Sequence, residues 1–208
     1  YAFSNCTSLK SATISDGVGS IGEYVFNKCT AIESITLPYA GETLASVNQE
    51  DSRIYVLSRL FNNEVKDKTY GANCYGFTKY IPNSLKKMTI TGGTRIPTDA
   101  FNGFKSLTEI NLPDTITSIG DSAFKDCALI PGIHMLPNLK AIGNNAYDGC
   151  KAITVFKVPS TVQTIGSSAF ANCSGLTNVV VPKTVKTLGS YAFSNCTSLK
   201  SATISDGV

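Results

Sequence analysis

The chain has no tryptophan, one histidine and two methionines among its 208 residues, and only 16% of it is charged. One histidine, His134, leaves no room for a histidine-rich metal centre and offers imidazole chemistry a single candidate. A net charge of +3 without clustered Lys and Arg excludes the basic footprint of a nucleic-acid-binding face. No run approaches the roughly 18 apolar residues of a membrane-spanning helix. The first residues also lack the charged-then-apolar layout of a signal peptide. With charge so scarce, the polar surface has to be made from Ser, Thr and Asn.

What the sequence does have is a period. Ile96, Ile119, Ile142, Ile165 and Leu188 recur every 23 positions, accompanied by Ala100-Phe101, Ala123-Phe124, Ala146-Tyr147, Ala169-Phe170 and Ala192-Phe193. A fixed period in the twenties marks a solenoid, in which each repeat is one rung that buries its apolar side only by stacking on its neighbours. At 42% hydrophobic the chain can build a sizeable core, laid out as a line rather than a ball. Residues 1–18 are identical to residues 191–208, so the chain starts and stops inside a repeat, and a segment of a longer protein is expected.

Six of the seven cysteines, Cys6, Cys29, Cys127, Cys150, Cys173 and Cys196, share one repeat position, which Phe104 fills in the fourth rung. Phenylalanine can neither cross-link nor ligate, so the slot asks for apolar bulk and the favoured expectation is a ladder of reduced, buried thiols. Bridges and metal sites stay open as alternatives at this point. Cys74 lies outside the ladder.

Within a rung, Leu176, Val179 and Val181 followed by Pro182 spell a short strand with Val179 and Val181 inward, ended by a proline that cannot donate to a ladder. The same template predicts eight strands: Leu9–Ile14, Ile32–Leu37, Leu85–Ile90, Leu107–Leu112, Ile130–Met135, Ile153–Val158, Leu176–Val181 and Leu199–Ile204. The return between strands, with Gly189 and the Ala-Phe pair, is too short for more than a helical turn or a small second strand. Ile21 and Ile96 are 75 apart; two rungs account for 46 of these and leave 29 residues of insertion, lying within about 39–83. Inside it Ile54, Leu57, Leu60 and Phe61 have helical spacing after a possible cap at Asp51-Ser52. A polar and aromatic stretch with Tyr70, Tyr75, Phe77 and Tyr80 follows.

The recurring I-G-x-x-A-F-x-x-C-x-x-L-x-x-I-x-L-P, as in Ile119-Gly120, Ala123-Phe124 and Cys127, and in Ile110, Leu112 and Pro113, resembles the BspA-type leucine-rich repeats of bacterial surface proteins. The insertion, between Leu37-Pro38-Tyr39-Ala40-Gly41 and Ile81-Pro82-Asn83-Ser84-Leu85-Lys86, is similar to one in gut-bacterial members. The resemblance implies a leucine-rich-repeat solenoid, a right-handed superhelix of 23-residue repeats. Its parallel sheet would line the concave face, with short helical turns or short strands on the convex face. It also implies export to the cell surface and a role in adhesion or protein binding, and it carries no catalytic residues.

Other motifs weigh less. Gly17-Val18-Gly19-Ser20-Ile21-Gly22 has the glycine spacing of a dinucleotide loop, but Ile21-Gly22 is the repeat's own pair and no long helix follows. Asn5-Cys6-Thr7, Asn172-Cys173-Ser174 and Asn195-Cys196-Thr197 match the glycosylation acceptor pattern as a by-product of the repeat. His134 sits on the outward side of its strand with no nucleophile or orienting carboxylate beside it, so a solvated surface histidine is expected.

The outward strand positions Lys87, Glu109, Asn111, His134, Lys157 and Asn178 are therefore the candidate partner-binding residues, with Tyr70, Tyr75 and Tyr80 of the insertion as alternative aromatic anchors. The expectation is one repeat domain over 1–208, non-enzymatic, without cofactor or metal, binding a protein or glycoprotein partner at the cell surface. The alternative is a spacer that holds another domain away from the envelope.

Overall fold

The computed structural model describes residues 1–40, 57, 60, 61, 81–132 and 136–208. Its elements are all parallel strands, each pairing with its counterpart one rung away, and no α-helix occurs among the described residues. The longer strands form a four-stranded sheet of β1 (Ser11–Thr13), β2 (Ser34–Leu37), β3 (Lys87–Ile90) and β5 (Glu109–Asn111). A three-stranded sheet follows, of β8 (Val155–Lys157), β10 (Asn178–Val181) and β12 (Ser201–Ile204). On the return path, two-residue strands β4 (Arg95–Ile96), β6 (Ser118–Ile119), β7 (Ala141–Ile142), β9 (Thr164–Ile165) and β11 (Thr187–Leu188) make a second, five-stranded sheet. The small second strand is thus what the return contains.

Register follows side-chain alternation. In β10, Val179 and Val181 are buried while Asn178 and Val180 face solvent, so a one-residue slip would expose both inner valines. Burying each contributes about 1.5–3 kcal/mol. The strands are shorter than the template predicts, because the leading residue, such as Leu107 or Leu176, is buried in the approach turn rather than in the ladder.

Rung five breaks the expected single sheet. Among Ile130–Gly132, the described part of the predicted strand Ile130–Met135, there is no strand. In rungs four and seven the residue at this entry point donates its N–H across the gap, as Thr108 does to the Lys86 oxygen (2.9 Å) and Thr177 to the Thr154 oxygen (2.9 Å). Rung five has Pro131 there, which has no N–H to give. The five-stranded sheet runs through this rung uninterrupted by way of β6 and β7.

A third ladder lies at the Ala-Phe turn. Asp99, Phe101 and Gly103 donate their N–H groups to the oxygens of Asp121, Ala123 and Lys125 in the next rung, while Ala100, Asn102 and Phe104 close local turns. To aim alternate amides along the stack, the chain takes two left-handed residues per rung, four apart: Ser122 and Asp126, Asn145 and Gly149, Ser168 and Asn172, Tyr191 and Asn195. Asn and Gly tolerate that conformation best, which accounts for the Asn-Cys pairs behind the apparent glycosylation patterns. The Ile-Gly pair has a different cause: a Cβ on Gly166 would stand 2.6 Å from the Asn144 nitrogen, so the rungs approach too closely there for a side chain.

Between the ladders the aromatic side chains stack. Phe101, Phe124, Tyr147, Phe170 and Phe193 have successive ring centroids 5.0, 5.3, 5.0 and 5.3 Å apart and nearly parallel planes. Leu57, Leu60 and Phe61 join this order. Phe26 donates its N–H to the Leu60 oxygen (2.8 Å) and its ring lies 6.3 Å from that of Phe61, so Leu60-Phe61 is the Ala-Phe pair of rung three. Leu57, Leu60 and Phe61 thus belong to the repeat turn. The rest of that predicted helix is outside the described residues.

Candidate partner-binding face

Strand alternation places Lys87, Glu109, Asn111, Lys157 and Asn178 on the exposed side of the longer strands, as expected. His134, Tyr70, Tyr75 and Tyr80 lie outside the described residues. The exposed positions fall into two groups, one on each sheet, with rung five between them.

The first group is closed on itself. Lys87 and Glu109 are register partners, and Lys87 Nζ lies 2.7 Å from Glu109 Oε1. Asn111 Nδ2 donates to the same oxygen at 3.0 Å. Lys87 first, and Asn111 second, hold the Glu109 carboxyl below the usual carboxylate range. These side chains satisfy one another in solvent, and a partner would have to compete with bonds already made.

The second group is open. Register sets Val155, Asn178 and Ser201 in one row and Lys157, Val180 and Thr203 in the next. Ser201 Oγ donates to Asn178 Oδ1 at 3.0 Å. Val155 and Val180 stand 61% and 53% exposed among the polar side chains of Lys157, Asn178, Ser201 and Thr203. These two valines are not among the sequence-derived candidates. The signal was available: both occupy outward positions that carry Ser, Lys, Glu, Thr or Asn in the four-stranded sheet.

Polar side chains elsewhere bind along the stack rather than outward. Asp121 Oδ1 accepts the Asn144 N–H (2.7 Å) and Asn144 Oδ1 accepts that of Ser167 (2.8 Å), one step per rung. Beside them Lys125 pairs with Asp148 at 2.9 Å, and Asn172 Nδ2 donates to Asp148 Oδ1 at 2.7 Å. The six ladder thiols form no disulfide, and all but Cys6 are buried. Burial, and then neighbouring Cys196, pushes the Cys173 thiol up to about 12, and burial drives Cys150 higher still, so neither supplies a thiolate near neutral pH. Among the described residues no group of three or more His, Cys, Asp and Glu side chains is placed to hold a metal ion. No helix of the described residues is long and apolar enough to cross a membrane.

In-register parallel strands of a 23-residue repeat, with one alternating face buried and the other open, define a leucine-rich-repeat solenoid. Residues 1–64 and 72–208 match the BspA type leucine rich repeat region in six copies, and the chain belongs to that family. Among solved structures, the Treponema (T. pallidum) leucine-rich repeat protein is 31% identical over 58% of this chain and 56% of its own, with a TM-score of 0.55. A leucine-rich cell surface protein of Faecalibacterium prausnitzii A2-165 shares the fold over 98% of this chain and 62% of its own, at 22% identity and a TM-score of 0.56. The chain thus spans less than two thirds of either relative. No curated protein matches it.

Proposed function

We propose that this chain is a non-enzymatic cell-surface interaction module that engages a protein or glycoprotein partner through the outward face of its longer strands. It is one repeat domain over 1–208, interrupted at about 39–83. The observation that carries the reading is the pair Val155 and Val180, exposed beside Lys157 and Asn178 on a rigid sheet. An apolar centre with a polar rim is the composition of an interface core, and the parallel ladder of β8, β10 and β12 holds it with little ordering cost on binding. The surface location is supported by the family and by the description of the Faecalibacterium relative. The tyrosines Tyr70, Tyr75 and Tyr80 are proposed as secondary anchors.

Val155→Asp combined with Val180→Asp, assayed against immobilised mucosal and microbial-surface glycoproteins, should abolish capture while the circular dichroism spectrum stays unchanged. Lys87→Gln, in the closed group, should leave capture intact. If the double variant binds as well as the parent, the face is not the site. The spacer reading is supported instead by the five-stranded sheet that runs unbroken from β4 to β11, and it predicts no capture by the parent chain at all.

A further inference from the structure

The two groups of outward residues differ in charge as well as in composition. In the four-stranded sheet the outward lysine, Lys87, is neutralised by Glu109 at 2.7 Å. In the three-stranded sheet the outward lysine is Lys157, which is exposed and makes no ion pair among the described residues. Its surroundings offer little anionic charge. Residues 136–208 contain six lysines, no arginine, no glutamate and two aspartates. Of the two, Asp148 is already paired with Lys125 at 2.9 Å, and Asp206 lies in the turn past β12. Lys157 is therefore an uncompensated cation beside two exposed valines. β10 is the central strand of its sheet, so the exposure of Val180 belongs to the face and not to a sheet edge.

We infer that the partner of this face is an acidic stretch of polypeptide, extended along β8 and β10, that sets aliphatic side chains on Val155 and Val180 and a carboxylate on Lys157. The inference rests on the proposed use of this face and adds the chemistry of what it holds. In-register strands place outward side chains on a lattice, about 4.8 Å between strands and about 6.6 Å between alternate residues of one strand. Val155 and Lys157 are two positions apart on β8, and Lys157 is the register partner of Val180 on β10. An extended chain lying along the strands repeats its own side chains on one face at the same spacing of about 6.6 Å, so its residues two apart match Val155 and Lys157. Contact between aliphatic groups removes the exposed valine surface from water, and the carboxylate meets the ammonium. A basic segment would be repelled by Lys157 and a neutral one would leave it without a counter-charge, so charge selects the partner more than it tightens the complex. A sulfated glycan would match Lys157 but would lay hydroxyl and sulfate groups over the two valines, where they gain nothing.

A phage-displayed library of random dodecapeptides is selected on the full chain, and the enriched peptides are synthesised with a fluorescent label for anisotropy titrations. They are expected to carry Asp or Glu two residues from Val, Ile or Leu. Lys157→Glu should weaken their binding at least roughly tenfold, by removing one attraction and adding one repulsion. Lys140→Glu makes the same change of charge at an exposed residue just before β7 and should leave binding within about twofold. Val155→Ser combined with Val180→Ser alters no charge and should also weaken binding roughly tenfold or more. If the enriched peptides lack acidic residues, and the serine double variant loses them while Lys157→Glu does not, the inference is overturned and the face stands as a site. If the serine double variant binds them as well as the parent does, the face itself is removed along with the inference. Failure of any peptide to enrich would overturn the inference as well, and labelled heparin held equally by the parent and the serine variant would then assign Lys157 to an anionic glycan.

Discussion

The thiol of Cys150 donates to the carbonyl oxygen of Phe124 at 3.0 Å, across 26 positions of sequence. That oxygen already accepts the Cys127 N–H at 3.1 Å, so the thiol fills the second lone pair of a turn carbonyl. Cys127, Cys173 and Cys196 repeat the arrangement with Phe101, Tyr147 and Phe170 at 3.0–3.2 Å. The ladder thiols are thus reduced groups that tie each turn to the one before. Where Phe104 replaces cysteine, it packs edge-on against Phe101 with centroids 5.7 Å apart.

This arrangement sets an alkaline limit. The Cys173 thiol is raised from 9.0 to about 12, while in the unfolded chain it titrates near its ordinary value. Between the two the unfolded state binds fewer protons than the folded one, so stability is fully present below about pH 9 and falls as pH rises toward 12. Each such thiol contributes a slope of up to about 1.4 kcal/mol per pH unit. Urea midpoints measured from pH 8 to 11 should fall steadily, and Cys173→Ala should flatten the curve while lowering its neutral plateau by about 1–2 kcal/mol. A midpoint that does not change with pH would contradict the buried-thiol ladder.

The aromatic stack predicts a gradient of sensitivity. Phe124 lies between Phe101 and Tyr147 and is fully buried, whereas Phe3 touches one ring and is partly exposed. Phe124→Ala should cost about 3–5 kcal/mol, and Phe3→Ala well under half as much. Thermal denaturation of both variants checks the ratio; equal losses would mean that the rungs do not depend on their neighbours.

Two backbone positions should respond to opposite substitutions. Lys28 is exposed and left-handed at φ 58°, so Lys28→Gly should raise stability by about 0.5–1 kcal/mol. Gly166 has no room for a Cβ against the Gly143-Asn144 backbone, and Gly166→Ala should cost about 1–3 kcal/mol. Denaturant melts of the two variants should move in opposite directions.

Rung five offers a repair. Pro131→Thr restores the amide that Thr108 and Thr177 donate in their own rungs, aimed at the Thr108 oxygen. A gain of about 0.5–1.5 kcal/mol is expected, with slower hydrogen exchange in β5 and β8. Unchanged exchange there would show that the proline is not what separates the two sheets.

How much of this was legible beforehand differs by residue. The inward Val179 and Val181 and the outward Lys87, Glu109, Asn111, Lys157 and Asn178 follow from alternation alone, because a parallel in-register strand has only two faces. The break at rung five was written in Pro131, yet the template weighed apolar positions and not donors. The pairing of Leu60-Phe61 with the other Ala-Phe pairs was masked by 35 residues between Phe26 and Phe61 where the period is 23. Their spacing of three and four also fits a helix, and only the Phe26 amide meeting the Leu60 oxygen separates the two.

By itself the sequence determined the period, the parallel stacking it requires and the burial of the cysteine position, since a residue that recurs every rung must meet its own counterpart. Only the tertiary structure decided how alternate amides turn along the stack through left-handed residues such as Asn172, which carbonyl each thiol reaches, and that the outward face divides into a self-satisfied patch at Lys87 and Glu109 and an open one at Val155 and Val180. Those features depend on distances between rungs, and composition along one rung does not contain them.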